Sequence, residues 1–254
     1  MVFAAVVFDF FGTLTPSTPA RVWDEHAARN AAPLGIPART WRAALDDSFP
    51  ERAVGALGGL RETFRTLARR CGVEPDEAAL TAACEARRAA QEELFVLRED
   101  APATVEGIRA RGLRVGVLSD CTVELAERWP TLPLASRVDA AVLSCLEGRR
   151  KPDPGLFDRI ASRLGVEPRR CLYVGDGGGD ELEGATACGM TAVLLWTADQ
   201  ADNASDKARA RKERWSGPRV ASLSQVLSVL DGPSALPPPR RRETADDGAG
   251  GEQG

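Results

Sequence analysis

Val2-Phe3-Ala4-Ala5-Val6-Val7-Phe8 is an unbroken apolar run, and Asp9-Phe10-Phe11-Gly12-Thr13-Leu14-Thr15 follows it directly. Such a run, ending on an aspartate and a glycine turn, reads as a buried strand that stops at a polar loop. It has no basic start and is too short for the apolar segment of a signal peptide, so it is assigned to the fold. Four further runs share its character: Leu113–Leu118, Val138–Leu143, Cys171–Val174 and Thr191–Leu195. Each is followed by turn residues and helical periodicity. The alternation predicts an α/β fold, a Rossmann-like doubly wound parallel sheet with helices on both faces.

Residues 16–98 follow the first strand and its loop, far more chain than the dozen or so residues an ordinary crossover needs. Helical patterns fill this stretch over Arg21–Ala32, Ala38–Ser48, Leu60–Cys71 and Asp76–Leu97, separated by glycine and proline breaks. The predicted organisation is therefore a core of residues 1–15 and 99–231, interrupted by a helical domain over 16–98. Late in the core, Ala198–Pro218 is polar and charged, and Val220–Leu230 has the pattern of a last short strand and helix. Residues 232–254 have the composition of a disordered tail, with Pro237-Pro238-Pro239 running into Arg240-Arg241-Arg242.

A chain of 254 residues, 43% hydrophobic and with a net charge of −4, can bury a sizeable core and carries no basic footprint for nucleic acid or an anionic membrane. No apolar stretch reaches the length of a membrane span. The six cysteines form no Cys-x-x-Cys pair and His26 is the single histidine, so a zinc site is not expected. Several cysteines lie inside apolar runs, as small hydrophobes do, which fits a reducing cytoplasm. Oligomeric state is left open.

In open α/β sheets ligands bind beyond the carboxyl ends of the strands. Those positions hold Asp9, Ser119-Asp120, Lys151 in the loop before the fourth strand, and Asp176 and Asp180 after it. One aspartate after a strand is ordinarily a helix cap or a turn residue. A convergent set is harder to explain that way, and Lys151 is one of three lysines, with Lys207 and Lys212, among 33 basic residues. Glycines 175 and 177–179 enclose Asp176, a carboxylate that would repel a bound diphosphate. Together the groups suit Mg²⁺-assisted attack on a small phosphorylated molecule. Asp9 and Asp176 offer hard oxygen ligands, Ser119 and Lys151 can hold the phosphoryl oxygens, and Asp9 can attack to form an aspartyl-phosphate.

With these residues in order, the sequence resembles the haloacid dehalogenase (HAD) superfamily over about Val2 to Leu195. Asp9-x-x-Gly12-Thr13-Leu14, Ser119, Lys151-Pro152-Asp153-Pro154 and Gly175-Asp176-x-x-x-Asp180 correspond to its four motifs. The inserted helices resemble the C1 cap that closes over the site and selects substrate. The resemblance implies that Asp9 is the nucleophile and that Mg²⁺ is held by Asp9, the Phe11 backbone carbonyl and Asp176. It implies that Asp180 orients metal-bound water or Lys151, that Ser119 and Lys151 bind the phosphoryl group, and that Thr13 supports the first loop at the substrate.

Phe11 departs from the pattern. Phosphatases of the superfamily carry an aspartate there as general acid and base, and a phenyl ring cannot move a proton. Losing such a group costs about 10²- to 10⁴-fold in rate. Phosphonatases, which lack that aspartate, need a cap lysine, and 16–98 contains none. Ion-pumping ATPases need membrane helices. 2-Haloacid dehalogenases carry an aromatic residue at this position and bind the substrate carboxylate through a cap arginine, for which Arg42 beside Trp41 is placed. They lack the Gly-Asp pair that Gly175-Asp176 retains here. The leading expectation is a Mg²⁺-dependent phosphatase; the alternatives are a 2-haloacid dehalogenase and a non-catalytic HAD-fold binding protein. His26, Trp23 and Trp41 are expected to pack rather than react, and Cys121 to sit accessibly at the mouth of the site. Asp120 has no assigned role.

Overall fold

Period-two alternation in the apolar runs divides the core between two faces of one sheet. The structure, a computed structural model, describes residues 3–203 and 205–232. Its strands are β1 (Ala5–Phe8), β2 (Arg114–Ser119), β3 (Ala140–Leu143), β4 (Cys171–Gly175), β5 (Thr191–Leu195) and β6 (Arg219–Val220). They pair in parallel in the order β3-β2-β1-β4-β5-β6. Val6, Phe8, Val115, Val117, Leu172, Val174, Val193 and Leu195 face one hydrophobic cluster, whereas Ala5, Val7, Leu118, Tyr173, Ala192 and Leu194 face another. Burial on both sides is why these strands read as continuous apolar runs.

Five predicted strands are present with shifted ends. Val2 lies outside the described residues, and Asp139 precedes β3 because its carboxylate accepts the Val115 N–H at 2.8 Å. The predicted tail, 232–254, lies outside the described residues apart from Gly232. The stretch Ala198–Pro218, read as merely polar and charged, contains two helices.

The inserted stretch contains α1 (Ala20–Ala31), α2 (Ala38–Asp47), α3 (Phe49–Arg52), α4 (Leu60–Arg70) and α5 (Glu77–Gln91). The α5 helix starts after Asp76, whose side chain caps it by accepting the Ala79 N–H at 2.7 Å, and it ends short of the predicted Leu97. These helices bury a cluster of their own, centred on Trp41, Phe64, Leu67 and Leu80. Around the sheet lie α6 (Ala101–Ala110), α7 (Val123–Arg128), α8 (Ser144–Glu147), α9 (Pro154–Leu164), α10 (Glu181–Ala187), α11 (Ala198–Asn203), α12 (Asp206–Arg214) and α13 (Gln225–Asp231). Among the described residues, no helix is long and apolar enough to cross a membrane.

A buried ion pair ties the insertion to the core: Arg87 of α5 reaches Glu124 of α7 at 2.7 Å, with 6% and 4% of the two side chains exposed. Burial alone would raise the Glu124 carboxyl, but the guanidiniums of Arg87 and Arg52 outweigh it and hold it at about 2. A carboxyl held below its free value stabilises the fold fully above that free value, and the contribution fades as pH falls toward 2. Here it amounts to about 3 kcal/mol. Urea unfolding from neutral pH down to pH 2 should show wild type losing more stability than Glu124→Gln, the two converging in acid. Parallel profiles would contradict the pairing.

Candidate active site

The strand order reverses between β1 and β4, and Asp9 and Asp176 follow the carboxyl ends of those two strands. Immediately after β1 the chain turns sharply, with Phe11 extended and Gly12 left-handed at φ 77°. Gly12 is required twice over. The conformation penalises any side chain, and a Cβ there would lie 3.1 Å from Asp176 Oδ2.

Lys151 is brought in by the loop between α8 and α9, a helix capped by the Asp153 carboxylate. Its ammonium is 4% exposed and donates to Asp9 Oδ1 at 2.6 Å, Glu181 Oε2 at 2.5 Å, the Tyr173 hydroxyl at 3.1 Å and the Leu118 carbonyl at 3.4 Å. Burial works to discharge this ammonium, yet Asp9 and Glu181 hold its pKa well above the ordinary lysine value. Burial likewise raises Asp9, with Lys151 opposing it and Asp176 adding to it. Glu181 is pushed up to about 8 by burial, against the pull of Lys151. Glu181 also accepts from the Tyr173 hydroxyl at 2.7 Å and from the Gly177 N–H at 2.9 Å.

Carboxylate oxygens of Asp9, Asp176 and Glu181 lie within 4.8 Å of one another. This is a hard-oxygen donor set of the kind a divalent cation takes. Glu181 is fully buried and holds Lys151 in place, whereas the Asp176 side chain, paired with Lys212 and the Gly178 N–H, is 25% exposed and stands with Asp9 at the open side of the set.

Asp180 stands apart. It has a positive φ of 56°, a side chain 57% exposed, and an ion pair with Arg211 at 3.2 Å. The role expected of it toward Lys151 is filled by the next residue. Asp180 occupies the position before α10 without a side-chain capping bond and Glu181 begins the helix, so one step in sequence turns the side chain from solvent to the site. Ser119 ends β2 fully buried, its hydroxyl donating to the Asp120 carbonyl at 3.5 Å and to no other acceptor among the described residues. Thr13 is buried with a hydroxyl that makes no hydrogen bond among the described residues, and it lines neither main cavity. Its position is that of a support for the loop, not a substrate contact.

Two cavities flank these residues. One of about 450 Å³ is lined by Phe11, Trp23, Phe49, Arg52, Arg87 and Asp120 among others. The second, of about 350 Å³, is lined by Ser17, Asp176, Gly178, Arg211 and Lys212 among others. Trp23 and Arg42 border both. Trp23 is therefore a wall residue and not core, in contrast to the fully buried Trp41. Arg42 lines both cavities with its guanidinium engaged by Asp24 at 2.8 Å and Asp46 at 2.8 Å. Arg52 is 8% exposed and donates to neutral partners, the Ser48 hydroxyl and the Leu45 carbonyl; burial brings its guanidinium down to about 10. Cys121 is 1% exposed, its thiol 3.9 Å from that of Cys145 and raised well above the ordinary value by that contact and by burial. It is not accessible. His26 is fully buried beside Trp23 and lies 3.4 Å from Glu93.

Four further residues, Arg98, Asp199, Gln200 and Lys212, were not anticipated as contributors. Arg98 donates to the Thr13 and Gly12 carbonyls at 3.0 and 3.2 Å and pairs with Asp199 at 2.9 Å. Asp199 also accepts the Ser17 N–H at 2.8 Å, and Gln200 donates to the Gly12 carbonyl. The start of α11 thereby clamps the loop that carries Asp9. Lys212 of α12, 7% exposed, lies 3.2 Å from Asp176 Oδ2 and over the Trp196 ring. Lysine scarcity was the one signal that pointed to it.

The family model for haloacid dehalogenase-like hydrolases matches residues 3–189. The chain is 30% identical over 242 residues to Phosphatase MT3486 of Mycobacterium tuberculosis (strain CDC 1551 / Oshkosh), covering 91% of this chain and 99% of that protein. It is 30% identical over 201 residues to the glyceraldehyde 3-phosphate phosphatase of Methanopyrus kandleri, covering 75% and 83%. Among solved structures, a 2-haloacid dehalogenase from Pseudomonas syringae pv. Tomato DC3000 superposes with a TM-score of 0.65 at 25% identity, covering 91% of this chain and 99% of that one. A HAD phosphatase from Thermococcus onnurineus shares the fold at a TM-score of 0.62 and 18% identity, with the same coverage.

Gly12→Ala should cost about 1–2 kcal/mol from the left-handed backbone alone, with the approach to Asp176 adding to it. Equilibrium urea unfolding measures this, and an unchanged midpoint would show that the turn does not need glycine.

Proposed function

The chain belongs to the haloacid dehalogenase-like hydrolases, and from that membership we propose that it is a Mg²⁺-dependent phosphatase of small phosphorylated metabolites, working through an aspartyl-phosphate at Asp9. The observation that carries this reading is the buried Lys151 ammonium, which touches Asp9 at 2.6 Å while Asp176 keeps a second carboxylate beside it. Lys151 offsets the charge of the nucleophile and would do the same for a phosphoryl oxygen arriving there. Phosphatases among the relatives support the same chemistry.

Asp9, the Phe11 carbonyl and Asp176 would hold Mg²⁺, whose charge would offset the repulsion between an anionic substrate and Asp9. Attack by an Asp9 oxygen on phosphorus splits one hard displacement into two easier ones. Glu181 and Tyr173 keep Lys151 aimed at Asp9, and the Arg98–Asp199–Gln200 clamp keeps the Asp9 loop in place. The inserted helices act as a C1-type cap, with Trp23 and Arg42 at its edge facing the core.

A 2-haloacid dehalogenase reading has Phe11 in its favour, since a halide leaves without a proton. Against it, Asp176 keeps a second carboxylate beside Asp9, a hard-oxygen pair suited to a cation and not to an incoming haloacid anion. Phosphate release from p-nitrophenyl phosphate should require Mg²⁺, stop with EDTA and vanish in Asp9→Asn, with no chloride released from 2-chloropropionate. Release that survives Asp9→Asn or EDTA would refute the proposal, and chloride release would establish the other chemistry.

A further inference from the structure

Phe11 leaves the reaction without the usual proton donor, and the larger cavity presents a replacement on its wall. We propose that Asp120 is the general acid and base of this site. The assignment rests on the phosphatase reading above.

Among the described residues, two carboxylates line the cavity that Phe11 borders, Asp46 and Asp120. Asp46 belongs to α2 of the insertion, and both of its oxygens are taken by Arg42 Nε at 3.0 and 2.8 Å. Asp120 comes from the sheet side, directly after Ser119, with 14% of its side chain exposed. One oxygen, Oδ1, accepts the Lys151 backbone N–H at 2.8 Å. The nearest cation to Oδ2 is Arg150 Nε at 3.7 Å, beyond hydrogen-bond reach. Asp120 is thus anchored by one oxygen and has no hydrogen-bond donor on the other among the described residues.

Its surroundings suit a group that gains and loses a proton. Burial raises the carboxyl, with Lys151 and Arg150 opposing. Lys151 commits its ammonium to Asp9 and Glu181, so it cannot pair with Asp120 as well. Across the cavity stand Arg42 with Asp46, Arg52 and Arg87, and Cys121 lies alongside.

The step balances. As an Asp9 oxygen bonds to phosphorus and the bond to the departing oxygen breaks, the proton on Asp120 passes to that oxygen, which leaves as a neutral alcohol. Water then attacks phosphorus, the bond from phosphorus to the Asp9 oxygen breaks, and the water gives a proton to the Asp120 carboxylate. Phosphate departs, and Asp9 and Asp120 return to their starting states.

A structural role is the competing explanation, in which Asp120 only anchors the Lys151 loop. Asp120→Asn separates the two, because the amide oxygen can still accept the Lys151 N–H while the group no longer carries a transferable proton. Phosphate release is measured for wild type and Asp120→Asn on esters running from p-nitrophenyl phosphate, through phenyl phosphate, to a simple alkyl phosphate. Wild-type kcat/KM should depend only weakly on leaving-group pKa. In Asp120→Asn the dependence should steepen, with a loss of about 10²-fold or more for the alkyl ester that shrinks as the leaving group improves. An equal loss on every ester, or none, would overturn the assignment while leaving the phosphatase reading intact. A steep dependence already present in wild type would overturn it without reference to the variant. Absence of phosphate release from every ester in wild type would overturn both.

Discussion

A single buried ammonium organises the end of the sheet. Lys151 is almost wholly removed from water, and a charge in that position is tolerable only if opposite charge and hydrogen-bond acceptors surround it. Asp9 after β1, the Leu118 carbonyl in β2, Tyr173 in β4 and Glu181 at the start of α10 supply them. Three stretches far apart in sequence, at Asp9, at Leu118 and over 173–181, must therefore meet at one atom. The parallel order, with β1 between β2 and β4, lets them do so. The same arrangement puts the Asp9 carboxyl group in a dry place against an ammonium, as the proposed attack on phosphorus requires.

Around that centre the structure is built in supports. Gly12 lets the Asp9 loop pass close to Asp176, and Arg98, held by Asp199, ties the loop carbonyls from the other side. Arg98 also donates its backbone N–H to the Leu14 carbonyl at 2.8 Å, so the two ends of the insertion lie side by side. The Arg87–Glu124 pair joins the inserted helices to α7, just past the segment that carries Ser119 and Asp120. The cavity between insertion and core is lined by aromatic rings, guanidiniums and Asp120.

Much of this was legible in the chain itself. Continuous apolar runs ending on polar residues identified five strands, because two-sided burial leaves no polar alternation to confuse the pattern. The residues after those strands included Asp9, Ser119, Lys151 and Asp176, since a doubly wound sheet gathers its strand ends. What sequence could not supply was orientation. Asp180 and Glu181 are neighbours, and only the backbone at the start of α10 decides which turns inward. Trp23 and Trp41 are both helical tryptophans, yet one borders a cavity and the other fills a core. Asp199, Gln200 and Lys212 sit in a polar stretch with no strong periodicity, and their importance comes from long-range contacts to Gly12, Arg98 and Asp176.

Phe11 is the residue on which the proposed chemistry turns, because it cannot carry a proton while Asp9, Lys151 and Asp176 stand together beside it. The covalent step at Asp9 is the claim on which the rest depends. Acid quenching during turnover of p-nitrophenyl phosphate with Mg²⁺, followed by peptide mass spectrometry, addresses it directly. The account predicts that the peptide containing Asp9 gains the mass of one phosphoryl group, and that the gain is absent from Asp9→Asn. Phosphate release with no such adduct, or an adduct on another residue, would contradict it.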